Sequence, residues 1–382
     1  MKGWSKALES FRQTIGAVTS CTSLDRKTVH SVTEYSFEST IWFGEVTRAP
    51  LFSRGWVLQE LILAPRVLHC GQNQLLWECK EARASEDYPD GIPENKDAKE
   101  SLPSSNSFTP SELYERWHRL VERYSQLDLT FPEKDKMIAI EGLARRLFSG
   151  NTSGDQLQYL YGLWRDNLAH DLLWSVPLGL PNPDDRSLPL PSWSWASYNG
   201  GIVYDHSDLG PSLLFHSTVE HQSVLADIDA RNASYSISMI VCIGSGTITL
   251  GAVNPDRRIV CFSLSATVLG YTGPTAWAYL DHKLLRTENI LYIPLIMRHT
   301  VEETPRKKNA KGKLVVQALI VEPTGKTKGE YRRLGYLYCF QGHVGFLQAL
   351  KEPQAVKGED TELGEDCGIN KFGYRRWRIR LV

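Results

Sequence analysis

The chain has 382 residues, two to three times the length of an average domain, so more than one core is expected. Hydrophobic residues at 42% and charged residues at 23% describe an ordinary globular composition and exclude a disordered, collagenous or coiled-coil body. With 43 basic and 44 acidic residues the formal charge is −1, which lacks the cationic excess of a protein that tracks phosphates, so no nucleic-acid partner is expected.

The first twenty residues carry Lys2, Lys6, Glu9 and Arg12 and lack the apolar core of a signal peptide. Seven cysteines, at 21, 70, 79, 242, 261, 339 and 367, are odd in number and spaced for neither a metal nor a redox pair, which points to a reduced, cytoplasmic setting. Without a secretory route, Asn151-Thr152-Ser153 and Asn232-Ala233-Ser234 read as chance matches to the glycosylation triplet.

The first informative block covers residues 53–80. Ser53 reads as the N-cap of a three-turn helix over residues 54–64 that Pro65 closes. At 100° per residue Val57, Leu58, Leu61 and Ile62 share one face, and Trp56, Glu60 and Leu63 the opposite one, so burial on both sides is expected. Glu60 would then be partly dehydrated and need a partner: an ion pair with Arg54 or Arg66, or a ligand in a cleft. Residues 67–70 and 74–79 form a predicted hairpin around Gly71-Gln72-Asn73, whose alternation accounts for His69, Cys70 and Cys79 without a metal ion. Residues 81–107, rich in charge, Pro and Ser, read as a loop.

A helical block follows. Thr109-Pro110-Ser111-Glu112 is a capping box with Pro at the first helical position, and Leu113, Trp117, Leu120, Val121 and Tyr124 recur at helical spacing. Further helices are predicted over 134–148, with Met137, Ile140, Ala144 and Leu147 as its stripe, and over 155–173, with Leu157, Leu160, Trp164 and Leu168.

From Pro189 the pattern changes to β-branched runs at 237–243, 259–264, 291–296, 314–321 and 334–340, with a closing segment at 377–382. Turns are predicted at Asn254-Pro255-Asp256 and Pro323-Thr324-Gly325-Lys326, and the basic cluster 306–313 reads as a solvated loop. The uncharged stretches 232–256 and 259–280 are too rich in Gly, Ser, Thr and Pro for a membrane hairpin and read as strands. Trp193 and Trp195 are expected to fill a buried seam between the helical block and the β-rich half. No phosphate-binding loop, nucleophile elbow, H-E-x-x-H or paired C-x-x-C is found.

Several phrases carry a family resemblance. Ser53-Arg54-Gly55-Trp56-Val57-Leu58-Gln59-Glu60, Pro65-Arg66-Val67-Leu68-His69 and Leu76-Trp77-Glu78-Cys79 resemble the closing segment of the fungal heterokaryon incompatibility (HET) domain. Asp135-Lys136, Ala139-Ile140-Glu141-Gly142-Leu143-Ala144, Gly162-Leu163-Trp164, Leu173-Trp174, Pro191-Ser192-Trp193-Ser194-Trp195-Ala196-Ser197, Glu322-Pro323-Thr324-Gly325 and Tyr331-Arg332-Arg333-Leu334-Gly335 agree with the same family. The domain's opening strands, with a Trp-Ile-Asp segment, have no counterpart between Met1 and Leu51, so only its last third is expected here, through truncation of the gene product or divergence.

The resemblance implies a role in fungal non-self recognition and programmed cell death. The HET domain is in turn similar to TIR domains, flavodoxin-like α/β folds that in some members cleave NAD. Their Ser-x-Trp-Cys-Leu-x-Glu-Leu motif matches Ser53, Trp56, Leu58, Glu60 and Leu61, with Gly55 as one extra residue. By that match Glu60 is the catalytic residue and Ser53 and Trp56 line the NAD site; NAD is a substrate, and neither a cofactor nor a metal is implied. The expected fold is α+β and multidomain: a remnant of a TIR-like HET domain over 1–90, a helical region over 108–180 and a β-rich domain over 189–382. The partners expected are a protein of incompatibility signalling and further copies of the chain, with no membrane. A non-enzymatic scaffold whose β-rich half binds a protein is the alternative.

Overall fold

The computed structural model describes residues 42–92, 109–148, 159–177, 188–204, 236–249, 259–264, 276–281, 288–300, 313–339, 350, 363–370 and 373–382. The architecture is α+β, with a large mixed sheet. The chain divides into two compact units: Met1–Phe108 with Leu127–Thr130 and Ile138–Asn151, and Thr109–Gln126 with Phe131–Met137 and Thr152–Val382.

In the first unit a π-helical turn, Phe43–Thr47, and a 3-10 turn, Pro50–Ser53, lead into helix α1, Gly55–Leu63. Ser53 therefore belongs to the preceding turn, where its Oγ donates to the Pro50 carbonyl at 3.0 Å; the N-cap is Arg54, with no side-chain cap. The exposed main-chain ends are met elsewhere, Gly55 N–H donating to Asp128 O (2.8 Å) and Asp128 N–H to Ser53 O (2.6 Å). Ala64, extended at ψ 127°, ends the helix because Pro65 disfavours a helical predecessor.

Strands β1 (Arg66–Cys70), β2 (Leu75–Cys79) and β3 (Arg83–Ser85) form an antiparallel sheet in that order. The expected hairpin is present, and the loop predicted over 81–107 is interrupted by β3. Ala84 and Ser85, 4% and 0% exposed, give a third strand enough burial to overcome the polar composition around it; residues 93–107 lie outside the described residues. The hairpin turn is clamped by Glu45, whose carboxylate accepts from the main-chain N–H groups of Gln72 (2.6 Å) and Asn73 (3.2 Å). His69 packs between Trp42 and Phe52 and lies 3.3 Å from the Glu78 carboxylate, so it is a core histidine.

Helix α2, Pro110–Ser125, begins with the predicted box: the Thr109 hydroxyl accepts from Glu112 N–H, and the Glu112 carboxylate accepts from Thr109 N–H at 2.7 Å. All five residues of its predicted stripe are buried. Helix α3, Pro132–Phe148, matches its prediction with Ile140 and Ala144 fully enclosed.

The third predicted helix is not formed. Within 159–173 the chain makes a two-stranded hairpin, β4 (Tyr159–Leu160) and β5 (Leu163–Trp164), then a 3-10 turn, Arg165–Asn167, and a single turn α4, Leu168–Asp171. Tyr161 and Gly162 take φ of +45° and +91°, which breaks any helix. The Gly162 carbonyl accepts from two indoles, Trp117 Nε1 (3.2 Å) and Trp195 Nε1 (3.0 Å). A helix would have committed that carbonyl to its own ladder.

The β-rich part holds β6 (Ile237–Val241), β7 (Gly244–Thr249), β8 (Ile259–Leu264), β9 (Ala276–Leu280), β10 (Glu288–Thr300), β11 (Lys313–Pro323), β12 (Glu330–Cys339), β13 (Glu365–Ile369) and β14 (Arg375–Leu381). Each predicted run is a strand. Antiparallel pairing runs β11-β10-β7-β8-β9-β12, and β12 pairs back to β11, so these six strands close into a barrel. Register shifts at Pro294/Ile296 and Ile320/Val321 supply local bends, and Pro294, which has no N–H to give, stands at the first of them.

The barrel is filled rather than open. Tyr292, Ile290, Val316, Ile320 and Leu337 share its core with Ala276, Ala278 and Ala318. A Cβ at Gly244 would lie 2.2 Å from the Tyr292 ring, so glycine there makes room for the phenol. Strand β14 pairs in parallel with the start of β12 and antiparallel with β6 and β13. Among the described residues no helix is long and apolar enough to cross a membrane. The predicted turn at 254–256 and most of the basic cluster, 306–312, lie outside the described residues.

Candidate functional site

Helix α1 buries Gly55, Val57, Leu58 and Ile62, and Gln59 is close enough to Gly142 that a Cβ there would stand 2.4 Å from Nε2. The opposite face is open: Trp56 and Leu63 are 37% and 42% exposed, and Glu60 is exposed with them. Burial on both faces, expected from the apolar composition, is therefore corrected. Nine residues of helix at the edge of a small unit bury one stripe, and among the described residues nothing covers the other. Glu60 is hydrated, and among the described residues it forms no ion pair with Arg54 or Arg66. Trp56 stands one turn before Glu60 on the same face, whereas Ser53 lies outside the helix with its hydroxyl committed to Pro50.

The second unit gathers Lys136, Gly162, Trp174 and Arg333, from four of the other resemblance phrases, around the Trp-rich segment of residues 191–197, whereas Ala139–Ala144 belongs to the first unit. Trp193 and Trp195 are 2% and 0% exposed. Trp174 Nε1 donates to the Trp193 carbonyl (3.0 Å), and Ser194 Oγ to the Tyr161 carbonyl (2.6 Å). Lys136 Nζ donates to the Tyr198 carbonyl and stands 5.5 Å from the centre of the Trp195 ring. Burial pushes the Lys136 ammonium down to about 7.

Arg333, from β12, completes the seam. Its guanidinium, fully enclosed, forms a two-point pair with Asp281 (3.0 and 3.3 Å), donates to the carbonyls of Leu172 and Trp174, and lies 3.6 Å over the Trp174 ring. Its main-chain N–H donates to Ser192 Oγ (3.0 Å), and that hydroxyl donates to the Val382 carbonyl. The predicted seam between helices and strands is thus present, with Trp174, Trp195, Ser194, Lys136 and Arg333 donating to main-chain carbonyls, while the buried Trp193 Nε1 has no partner among the described residues.

A second polar cluster had no local signal in the sequence. The Asp171 carboxylate, wholly buried, accepts from Trp164 N–H (2.6 Å) and Asn167 Nδ2 (2.6 Å) and lies 2.7 Å from His118 Nε2. The Tyr204 ring stacks on His118 with centroids 3.9 Å apart. Burial, then the Asp171 charge, push the Tyr204 phenol well above its ordinary value; Tyr114 nearby is pushed up to about 12 by burial, then by Asp166 and Asp171. His118 and Asp171 are 53 residues apart, so only the fold unites them. Their bonds tie α2 to α4 and, through Trp164 and Asn167, to the segment before it, a positioning role. Among the described residues no group of three or more His, Cys, Asp or Glu could hold a metal ion.

No family model, curated protein or solved structure matches the chain.

Proposed function

We propose that this chain is a HET-type protein of fungal non-self recognition that feeds a programmed cell-death response, with the TIR-like remnant in its first unit carrying an NAD-cleaving carboxylate at Glu60. The observation that supports the family reading is convergence. Phrases spread from Lys136 to Arg333 meet in one hydrogen-bonded, tryptophan-lined seam, which gives their joint occurrence a single structural reason. The support for Glu60 is its availability: an accessible carboxylate, one helical turn from Trp56, can take the ribose hydroxyls of a nucleotide and face the positive charge that develops as nicotinamide leaves.

Exposure sets the scale of that chemistry. A charge pair at 4 Å is worth about 1 kcal/mol in water, against about 3 to 4 kcal/mol for a preorganised, water-excluded group. The purified chain is therefore expected to release nicotinamide from NAD slowly, if at all, and Glu60→Gln to lower that rate about fivefold. Cell death on expression in fungal hyphae, scored for parent and Glu60→Gln, is the companion assay. A variant as fast as the parent removes Glu60 from the chemistry. Death that persists with the variant favours the scaffold reading.

A further inference from the structure

We propose that Asn199 is a site of spontaneous deamidation, and that the carboxylate formed there serves as the counter-ion of Lys136. Two features of the second unit meet at one peptide group. The first is a buried cation without an anion. Lys136 is 4% exposed, and its Nζ donates to the Tyr198 carbonyl beside the Trp195 ring. Tyr124, from α2, donates to the main-chain carbonyl of Lys136 itself (2.8 Å), and Asp135, its neighbour on α3, makes no ion pair with it. Among the described residues no carboxylate pairs with this ammonium, which leaves its burial uncompensated.

The second feature is a reactive step in the chain. The carbonyl that Lys136 holds belongs to the peptide between Tyr198 and Asn199, and Asn199 is followed by Gly200, the single Asn-Gly in the sequence. Asn199 is exposed in a bend, while Tyr198 and Ile202 to either side are 1% and 0% exposed. Tyr198 N–H donates to Trp195 O (3.1 Å) and Ile202 N–H to Ser125 Oγ (2.9 Å), so the bend is anchored at both ends. Neither the Asn199 side chain nor Gly200 N–H has a hydrogen-bond partner among the described residues, and glycine has no Cβ to hinder its own nitrogen. Asp90-Gly91 differs in this respect, since Gly91 N–H is committed to Tyr88 O (3.2 Å).

Solvent hydroxide takes the proton of Gly200 N–H, and the nitrogen attacks Asn199 Cγ. The Cγ–Nδ2 bond breaks, Nδ2 leaves as ammonia with a proton from water, and a succinimide ring closes. Water then opens the ring: addition at Cγ gives aspartate, and addition at the main-chain carbonyl gives isoaspartate. The sum is amide plus water to acid plus ammonia. The new carboxylate is carried by the peptide that Lys136 already holds, so a lone buried cation becomes half of a pair.

The modification is tested on the folded full chain, held in mildly alkaline buffer and mapped by mass spectrometry with isoaspartyl methyltransferase labelling. Aspartate and isoaspartate should accumulate at residue 199 ahead of any reaction at Asn73, Asn167 and Asn370, whose side chains are held by hydrogen bonds. Asn199→Gln, whose longer side chain would need a larger ring, should accumulate neither. Reaction at any of those three before Asn199, or aspartate without isoaspartate, would overturn the modification. The counter-ion role is tested with Asn199→Asp. A carboxylate favours the protonated amine and lifts its folded value from about 7 toward the ordinary 10.5, so less stability is lost as pH falls through that window. At about pH 6 the folding equilibrium constant of Asn199→Asp should exceed that of the parent about tenfold in urea titrations, the effect of a lift of about one pH unit, and the gain should vanish by about pH 9.5. No gain at the lower pH, or the same gain in a Lys136→Met background, would overturn the ion pair.

Discussion

Two charged side chains behave in opposite ways because water reaches one and not the other. Glu60 is exposed and forms no ion pair with Arg54 or Arg66, so Glu60→Gln should alter stability by no more than about 0.5 kcal/mol, read from paired thermal melts. Lys136 is 4% exposed, with the Tyr198 carbonyl and the Trp195 ring as its company. Its folded value near 7 lies below the ordinary 10.5, so between those limits the unfolded chain binds more protons and stability rises with pH. Below about 7 both states are protonated, and the cost of burying the charge is fully present. Relative to Lys136→Met, the parent should gain up to about 1.4 kcal/mol per pH unit between pH 7.5 and 9.5 in denaturant titrations. Equal slopes for parent and variant would show that the amine keeps its proton.

Elements meet at the seam, and the turn at Tyr161-Gly162 shows how. The apolar spacing of Leu160, Trp164 and Leu168 is helical, yet Gly162 adopts φ +91° and a Cβ there would lie 2.4 Å from the Trp195 indole nitrogen. Gly162→Ala should destabilise the second unit by about 2 kcal/mol or more, through backbone strain and the clash with Trp195. Arg333→Leu should cost about 3 to 5 kcal/mol, because Asp281 would be left buried without its cation. Asp281→Asn/Arg333→Leu should recover part of that loss. If the double variant is no more stable than Arg333→Leu, the pair is not what holds the seam.

At the scale of the whole molecule, the closed barrel divides the cysteines into classes. Cys70 is exposed at the end of β1, whereas Cys242 and Cys339 belong to the barrel core, where burial pushes the Cys242 thiol up to about 11. Cys70, Cys79, Cys242, Cys339 and Cys367 form no disulfide. Alkylation of native protein should modify Cys70 quickly and leave Cys242 and Cys339 untouched until the barrel unfolds, when seven thiols should react. Modification of Cys242 at the rate of Cys70 would show that the barrel is open to solvent.

Local pattern was enough for much of this. The capping box at Thr109, the stop at Pro65, the hairpin at Gly71-Gln72-Asn73 and the β-branched runs from Ile237 onward are decided by neighbours a few residues away, where propensity and spacing act directly. The exposure of Glu60 was not legible, since an apolar helix reads alike whether one face or two are covered. The hairpin in place of a helix at 159–164, whose Gly162 carbonyl meets Trp117 and Trp195 45 and 33 residues away, and the His118–Asp171 contact across 53 residues rest on partners distant in sequence. The strand at 83–85 and the return of β12 to β11 rest on burial and sheet closure that no local pattern announces. Such contacts were settled only by the tertiary structure, because burial and hydrogen-bond satisfaction across the fold outweigh the fraction of a kcal/mol per residue by which local preference chooses.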